Sequence, residues 1–314
     1  MKNMAEKTIE ETIREISDSF TGKFFIERRS SEGIVEKRDT VFDTALVALE
    51  LYKITKNPSY LQRCFSYFEE NVVEIEEGYF RWRYNAPRSL PGLPPFPPDV
   101  DSTALVLSVF ALAEQEGMYI PPQMSSTRNK EQFRELLHPE GIRTWFGDFR
   151  QDEIPDPVVT SAVALFYARA KLRDEVACHL QETLNNQIMK LGNMPEATTY
   201  YPFGKAYLAA RATEISAYER TFLDRNAGAS LDHFLEQATI GNTLEAAWIG
   251  TAAAERGIRK TAEQAKEYIL RTRQKNGLWS WEPVHNQKTY WQHGHGVLTT
   301  LFAGEALQAI ESFE

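Results

Sequence analysis

Six stretches of the chain are apolar on nearly every face of a helical wheel and rich in alanine: 42–55, 102–115, 159–171, 203–213, 242–256 and 295–311. A helix of that kind is stable only when neighbours cover it on all sides. Between them lie segments of the same 3.6-residue period that carry one charged face: 5–20, 59–73, 128–137, 173–189, 218–237 and 260–274. The two kinds strictly alternate, and alternating strand patterns are nearly absent, so the chain reads as all-α. An inner ring of all-apolar helices sheathed by an outer ring of amphipathic ones satisfies both sets. We therefore expect an (α/α)6 toroid of six inner and six outer helices, with residues 1–314 as a single domain.

The junctions repeat too. Amphipathic segments end in glycine followed by aromatics: Gly22 with Phe24 and Phe25, Gly78 with Phe80 and Trp82, Gly141 with Trp145, Gly277 with Trp279 and Trp281. Glycine there suits a left-handed position after a helix. The apolar segments open alike, as FDTALVAL (42–49), DSTALVLS (101–108), VTSAVALF (159–166) and GNTLEAAW (241–248), whereas the repeat around YYPFGKAYLAARA (201–213) is the least regular. Intervals of roughly 40 to 60 residues fit an array of helix pairs. In a closed array the inner helices run parallel, and the residues before each start converge on one mouth.

Bulk features exclude several partners. The net charge is −9 and no run of Lys or Arg forms a basic stripe, which argues against nucleic acid. The start, MKNMAEKTIEETIREISDSF, lacks the apolar core of a signal peptide, and no run reaches the ~18 apolar residues of a membrane span. Two cysteines, Cys64 and Cys178, on expected outer helices, argue against a disulfide frame and read as small core residues. A cytoplasmic location is expected, with the apolar loop GMYIPPQM (117–124) a modest candidate for peripheral membrane contact; the oligomeric state stays open.

The most telling junction is PPFPPDVDST (94–103), which sets Asp99 and Asp101 at the start of the second inner helix. Asp and Ser are good helix caps, and an acid in the first turn is favoured by the helix dipole, so capping alone is one reading. Repeat one has Thr40 and Phe42 at these places and repeat three Pro157 and Val159, so the doubled acid exceeds what the scaffold needs. Two carboxylates against apolar walls cannot both ionise cheaply, while the helix start and Ser102 favour the anion. Such an acid can be loaded with a proton and yet release it, which would suit protonation of a carbon–carbon double bond. Aromatics near the expected mouth could stabilise the resulting cation: Phe96, Trp145, Phe146, Tyr200, Tyr201, Phe203, Trp248, Trp279, Trp281, Tyr290 and Trp291. Packing of the ring seams is the plainer role for most of them.

DVDSTA (99–104) resembles the DxDD-type motif of class II terpene cyclases, and QKNGLW (274–279) resembles the QW repeat of their superfamily of α/α toroids. The likeness spans about 40 to 311 as a repeat pattern and is most similar to single-domain cyclases of prenylated aromatic acids. It implies proton-initiated cyclisation of a hydrophobic isoprenoid, or of a prenyl diphosphate. Asp101 would be the general acid, Asp99 its flanking acid and Ser102 the stand-in for the last acid of the motif. The group that orients the donor would have to be Thr160, Ser161 or water. No metal or cofactor is implied, with Mg²⁺ called for only by a diphosphate, for which Arg143 and Lys205 are candidate anion contacts.

Other features carry less. DEIPD (152–156) echoes a metal-binding acid motif, but Pro155 breaks any helical face. In WQHGHG (291–296), His293 and His295 lack a third metal ligand and could instead face the mouth as polar groups or cap a helix. Two rival readings remain: a toroidal glycoside hydrolase or lyase with Asp101 as general acid, and a non-catalytic prenyl-binding protein.

Overall fold

The computed structural model describes residues 8–30, 35–74, 78–84, 98–146, 155–195, 203–280, 283–287, 291–294 and 296–313. Among these, six long helices make an inner ring: α2 (Val41–Thr55), α5 (Val100–Gln115), α7 (Pro157–Arg169), α9 (Gly204–Tyr218), α11 (Thr243–Glu255) and α13 (Gly296–Phe313). Each packs on the next, and α13 packs back on α2, so the ring closes. Outside it lie α1 (Ile9–Ser19), α3 (Ser59–Arg63) with α4 (Phe65–Glu70), α6 (Ser126–Asn129), α8 (Glu175–Met189), α10 (Arg225–Gln237) and α12 (Arg259–Thr272). The architecture is the expected (α/α)6 toroid. Its inner helices are buried along nearly their whole length, as their all-round apolar faces require.

The inner helices start at one end and finish at the other. Tyr84 joins the starts of α2 and α5: its carbonyl accepts from the Val41 amide at 3.0 Å and its own amide donates to Asp99 Oδ2 at 2.5 Å. At the far end, Gln115 donates to the Arg169 carbonyl, and Lys53 pairs with both Glu214 (3.5 Å) and Glu305 (2.5 Å).

A threonine splice recurs at the starts. The hydroxyls of Thr44, Thr103, Thr160 and Thr300 each donate to the carbonyl four residues back, at 2.6 to 3.1 Å. Each also accepts an amide from the preceding segment: Phe24 (3.1 Å), Trp82 (3.0 Å), Ile142 (3.2 Å) and Trp279 (3.2 Å), respectively. One hydroxyl thus satisfies a buried loop amide and ties the loop to the helix. The α9 and α11 starts lack this arrangement, since Tyr207 and Ala246 stand where the threonine would be. The glycines before these segments are left-handed; at Gly22 (φ +96°) an added Cβ would sit 1.9 Å from the Arg63 carbonyl oxygen.

The structure departs from the all-helical expectation at the ends of the chain. Strands β1 (Phe25–Ser30) and β2 (Val35–Asp39) pair antiparallel, as do β7 (Pro283–Gln287) and β8 (Trp291–Gly294), and β1 also pairs with β8. This four-stranded sheet, ordered β2-β1-β8-β7, joins the first and last repeats where β2 enters α2 and β8 leads to α13. The strands are polar, and pairing between chain ends leaves no local periodicity. Two further short hairpins are β3 (Val72–Glu74) with β4 (Phe80–Trp82), and β5 (Leu137–His138) with β6 (Gly141–Ile142). The expected outer helix over 128–137 is mostly 3-10 (Lys130–Leu136). There Asn129 and Gln132 spend their side-chain amides on the carbonyls of Gln123, Ser125, Phe80 and Asn129, in competition with a regular helix.

Candidate functional site: buried acids at the mouth of the ring

Three buried carboxyls meet where α2 and α5 begin. Asp99 is the cap of α5 and accepts from the amides of Ser102 (2.9 Å) and Tyr84 (2.5 Å). Asp101, in the first turn, accepts from the same Ser102 amide at 2.8 Å and is hydrogen-bonded to Asp99. Asp43, in the first turn of α2, takes hydrogen bonds from the hydroxyls of Thr40 and, at 3.3 Å, Tyr84. Burial pushes the Asp43 carboxyl up to about 6; the Thr40 and Tyr84 hydrogen bonds oppose this and the Asp101 charge adds to it. Asp99 is also raised well above the carboxylate range, first by burial and then by the charge of Asp101. Asp101 keeps 8% of its surface exposed, against 3% for Asp99 and 2% for Asp43, so it is the member of the trio nearest to solvent.

Asp43 and Tyr84 were not singled out from the sequence. The signal was present in FDTAL, which carries its acid in the first turn of the helix neighbouring the doubled acid, but only ring closure shows the two starts to be adjacent.

Caps also correct the repeat alignment. Asp156, which caps α7 and accepts from the Val158 amide at 2.7 Å, corresponds to Asp99 and Thr40, so Val158 stands where Asp101 does. Thr160 splices α7 to Ile142, and Ser161 donates to the Val158 carbonyl at 2.7 Å. Each hydroxyl is thus committed within its own repeat rather than orienting Asp101. DEIPD ends in this cap; residues 152–154 lie outside the described residues.

Of the expected aromatic lining, Trp145 is at the mouth, half-buried and bridged through its backbone to Asp99. Phe146 is buried beside Phe133 and carries Arg81 at 4.0 Å over its ring. Phe203 is the left-handed residue (φ 58°) before α9 and lines, with Lys205, an outer groove between α9 and α10. Trp248 faces a different cavity, described below. Trp279 is buried, donating from its indole to the Ile269 carbonyl at 2.8 Å. The QKNGLW segment is a turn in which the Gln274 carbonyl accepts from Gly277 (2.9 Å) and the Gln274 amide donates to Leu278 (2.9 Å). Phe96, Tyr200, Tyr201, Trp281, Tyr290 and His295 lie outside the described residues. Trp291 and His293 are in β8, opposite Ser30 and Arg28 of β1.

The expectation of two core cysteines holds for Cys64, which is buried, while Cys178 is exposed. In the loop 117–124, Ile120 and Met124 are buried and Tyr119 alone is an exposed large apolar residue, at 79%. None of the helices described is long and apolar enough to cross a membrane. Among the described residues no group of three or more His, Cys, Asp or Glu is placed to hold a metal ion.

Toward the opposite end, a cavity of about 240 Å³ runs from the middle of the ring to the finishes of α2, α9 and α11, with α13 along one side. Glu50, Lys53, Tyr207, Arg211, Glu214, Trp248, Phe302 and Glu305 line it, and it opens past Lys56 and Tyr218.

No protein-family model and no curated protein matches the sequence. Among solved structures, the fold is similar to an inactive variant of the α-1,6-mannanase GH76A of Salegentibacter sp. HEL1_6, with two adjacent aspartates changed to asparagine, in complex with α-1,6-mannotriose. The TM-score is 0.54 over 98% of this chain and 99% of that one, at 12% identity. This end-to-end match to a glycoside hydrolase overturns the terpene-cyclase expectation, and with it the isoprenoid substrate. The residues that suggested it have duties in the scaffold: Asp99 caps, Thr103 splices and QKNGLW turns the chain out of α12. At this identity the likeness establishes the toroid: the chain folds as an (α/α)6 ring closed end to end.

Proposed function

We propose that the protein is a glycoside-cleaving enzyme whose acid–base groups are the mouth carboxyls. The observation that carries this reading is the convergence of Asp43, Asp99 and Asp101 from two adjacent helix starts, with Asp43 and Asp99 both raised. Glycoside hydrolysis needs one carboxyl that holds a proton for the leaving oxygen and another that stays ionised as base or nucleophile. Environments that push carboxyl groups apart assign such roles.

Asp43, raised to about 6 by burial, suits the proton donor. Asp101, the most accessible of the three, suits the second carboxyl that acts on the sugar from the open side, with the Ser102 amide and the Asp99 carboxyl as its supports. Asp99 is then a positioning residue, and Trp145, half-buried beside it, offers an aromatic face to a sugar ring. The mannanase likeness supports a neutral oligosaccharide substrate and makes α-1,6-linked mannooligosaccharides the first to assay.

The test is release of reducing ends from α-1,6-mannotriose and a panel of other neutral oligosaccharides. Asp101→Asn and Asp43→Asn should each lower kcat by at least ~100-fold, the scale of one acid–base group, with binding retained. An Asp101→Asn enzyme as fast as the parent would overturn the assignment.

A further inference from the structure

The cavity at the C-terminal end of the ring is built differently from the mouth. The negative ends of the inner helices converge there, which favours cations. Lys53, Arg169 and Arg211 supply them, and each is answered by a carboxylate: Arg169 pairs with Glu214 at 2.6 Å, Arg211 with Glu214 at 2.7 Å, and Lys53 with Glu305 at 2.5 Å. Helix-dipole compensation explains this network without any ligand. Two other groups fall outside it.

Glu50 is 1% exposed and hydrogen-bonds Glu305 through its carboxyl, yet its Oε2 is buried with no partner. Burial and the Glu305 charge push Glu50 well above the usual carboxylate range, and its one proton is spent on Glu305, which leaves Oε2 an unsatisfied acceptor. Trp248 is 3% exposed, and its indole Nε1 likewise has no partner. Both residues line the cavity. A buried polar group without a partner costs about 1–3 kcal/mol, and two such groups on residues that border one cavity would both be satisfied by a molecule seated there.

We infer that this cavity is a second, non-catalytic binding site for a neutral polyhydroxylated ring of monosaccharide size. About 240 Å³ holds roughly eight waters' share of liquid volume and is smaller than a typical drug-sized pocket. One wall is aromatic, with Trp248 between Tyr207 (4.7 Å between centroids) and Phe302 (5.5 Å), and suits the C–H face of a ring. The polar groups of the lining, Glu50 with Glu305 and Arg211 over the Tyr207 ring, suit its hydroxyls. Deep in the cavity an ion of either sign is disfavoured because Lys53 and Arg211 are already paired with Glu214 and Glu305.

Titration of ¹⁵N-labelled protein with D-mannose, D-glucose and myo-inositol, followed at the indole N–H resonances, tests this; Trp248→Phe identifies the Trp248 signal. At least one of the three should move that signal saturably, and Glu50→Leu, which keeps the size and removes the acceptor, should weaken binding at least tenfold while leaving any oligosaccharide hydrolysis unchanged. Asp101→Asn, which disables the mouth, should leave the titration as it is, so the two sites stand or fall separately. No saturable shift with any probe, an equal shift in Glu50→Leu, a shift that disappears in Asp101→Asn, or a shift produced only by sodium chloride or sodium acetate would overturn the inference.

Discussion

Asp43 links stability to function at the level of one residue. Its carboxyl is raised from 3.8 to about 6 in the fold, where it faces Thr40, Tyr84 and Asp101. A raised carboxyl contributes stability that is full below the unfolded value and is lost as pH rises through the folded one. The shift corresponds to about 3 kcal/mol. Asp43→Asn, which stays neutral and can still accept from Thr40, should therefore be more stable than the parent at pH 8, by up to about 3 kcal/mol, and within about 0.6 kcal/mol of it at pH 4. Denaturant melts at the two pH values check this. In the parent, kcat/KM for a glycoside should decline as pH rises through about 6, as the donor loses its proton. Stability given up above about pH 6 for an acid that keeps its proton below it is what a functional site would show, and an unaltered melt at pH 8 would remove that argument.

At the level of elements, the threonine splice explains why the inner helices open alike. Thr103 accepts the Trp82 amide at 3.0 Å and donates to the Asp99 carbonyl at 2.8 Å. Thr103→Val keeps the shape and strands a buried amide, so unfolding free energy should fall by about 1–3 kcal/mol. Thr103→Ser should retain most of it, and a denaturant series on the pair measures the difference. The repeated FDTAL, DSTAL and VTSAV openings were legible in the sequence because this bond sits at a fixed distance from the cap, and glycine plus an aromatic marked its other half. Alternation of all-apolar and amphipathic helices was legible for the same reason: both signals are local. The sheet that closes the ring was not, because β1 and β8 are polar strands from opposite ends of the chain. Asp101 could be read from its doubled acid. Asp43, Tyr84 and the pairing of Glu50 with Glu305 arise only when distant helices come side by side.

On the scale of the whole molecule, the ring sorts its buried charge by end. Asp43, Asp99, Asp101 and Asp156 sit at inner-helix starts and Lys53 and Arg169 in last turns, each favoured there by the local dipole, while Arg211 stands midway along α9. Glu214 holds the second group together, since Lys53, Arg169 and Arg211 all pair with it, and they keep its carboxyl far below the usual range despite burial. Glu214→Gln leaves buried cations underpaired and should cost about 3–5 kcal/mol, readable as a lower denaturation midpoint. Polarity of this kind makes the mouth an acid–base end and the far end a charge-balanced one. The most direct test of that division is the rate of glycosidic bond cleavage across a panel of neutral oligosaccharides, α-1,6-mannotriose included, by the parent, Asp43→Asn and Asp101→Asn. The account predicts cleavage by the parent, declining above about pH 6, and at least ~100-fold slower cleavage by both variants. Cleavage by Asp101→Asn at the parent's rate, or no cleavage of any panel member by the folded parent, would contradict it.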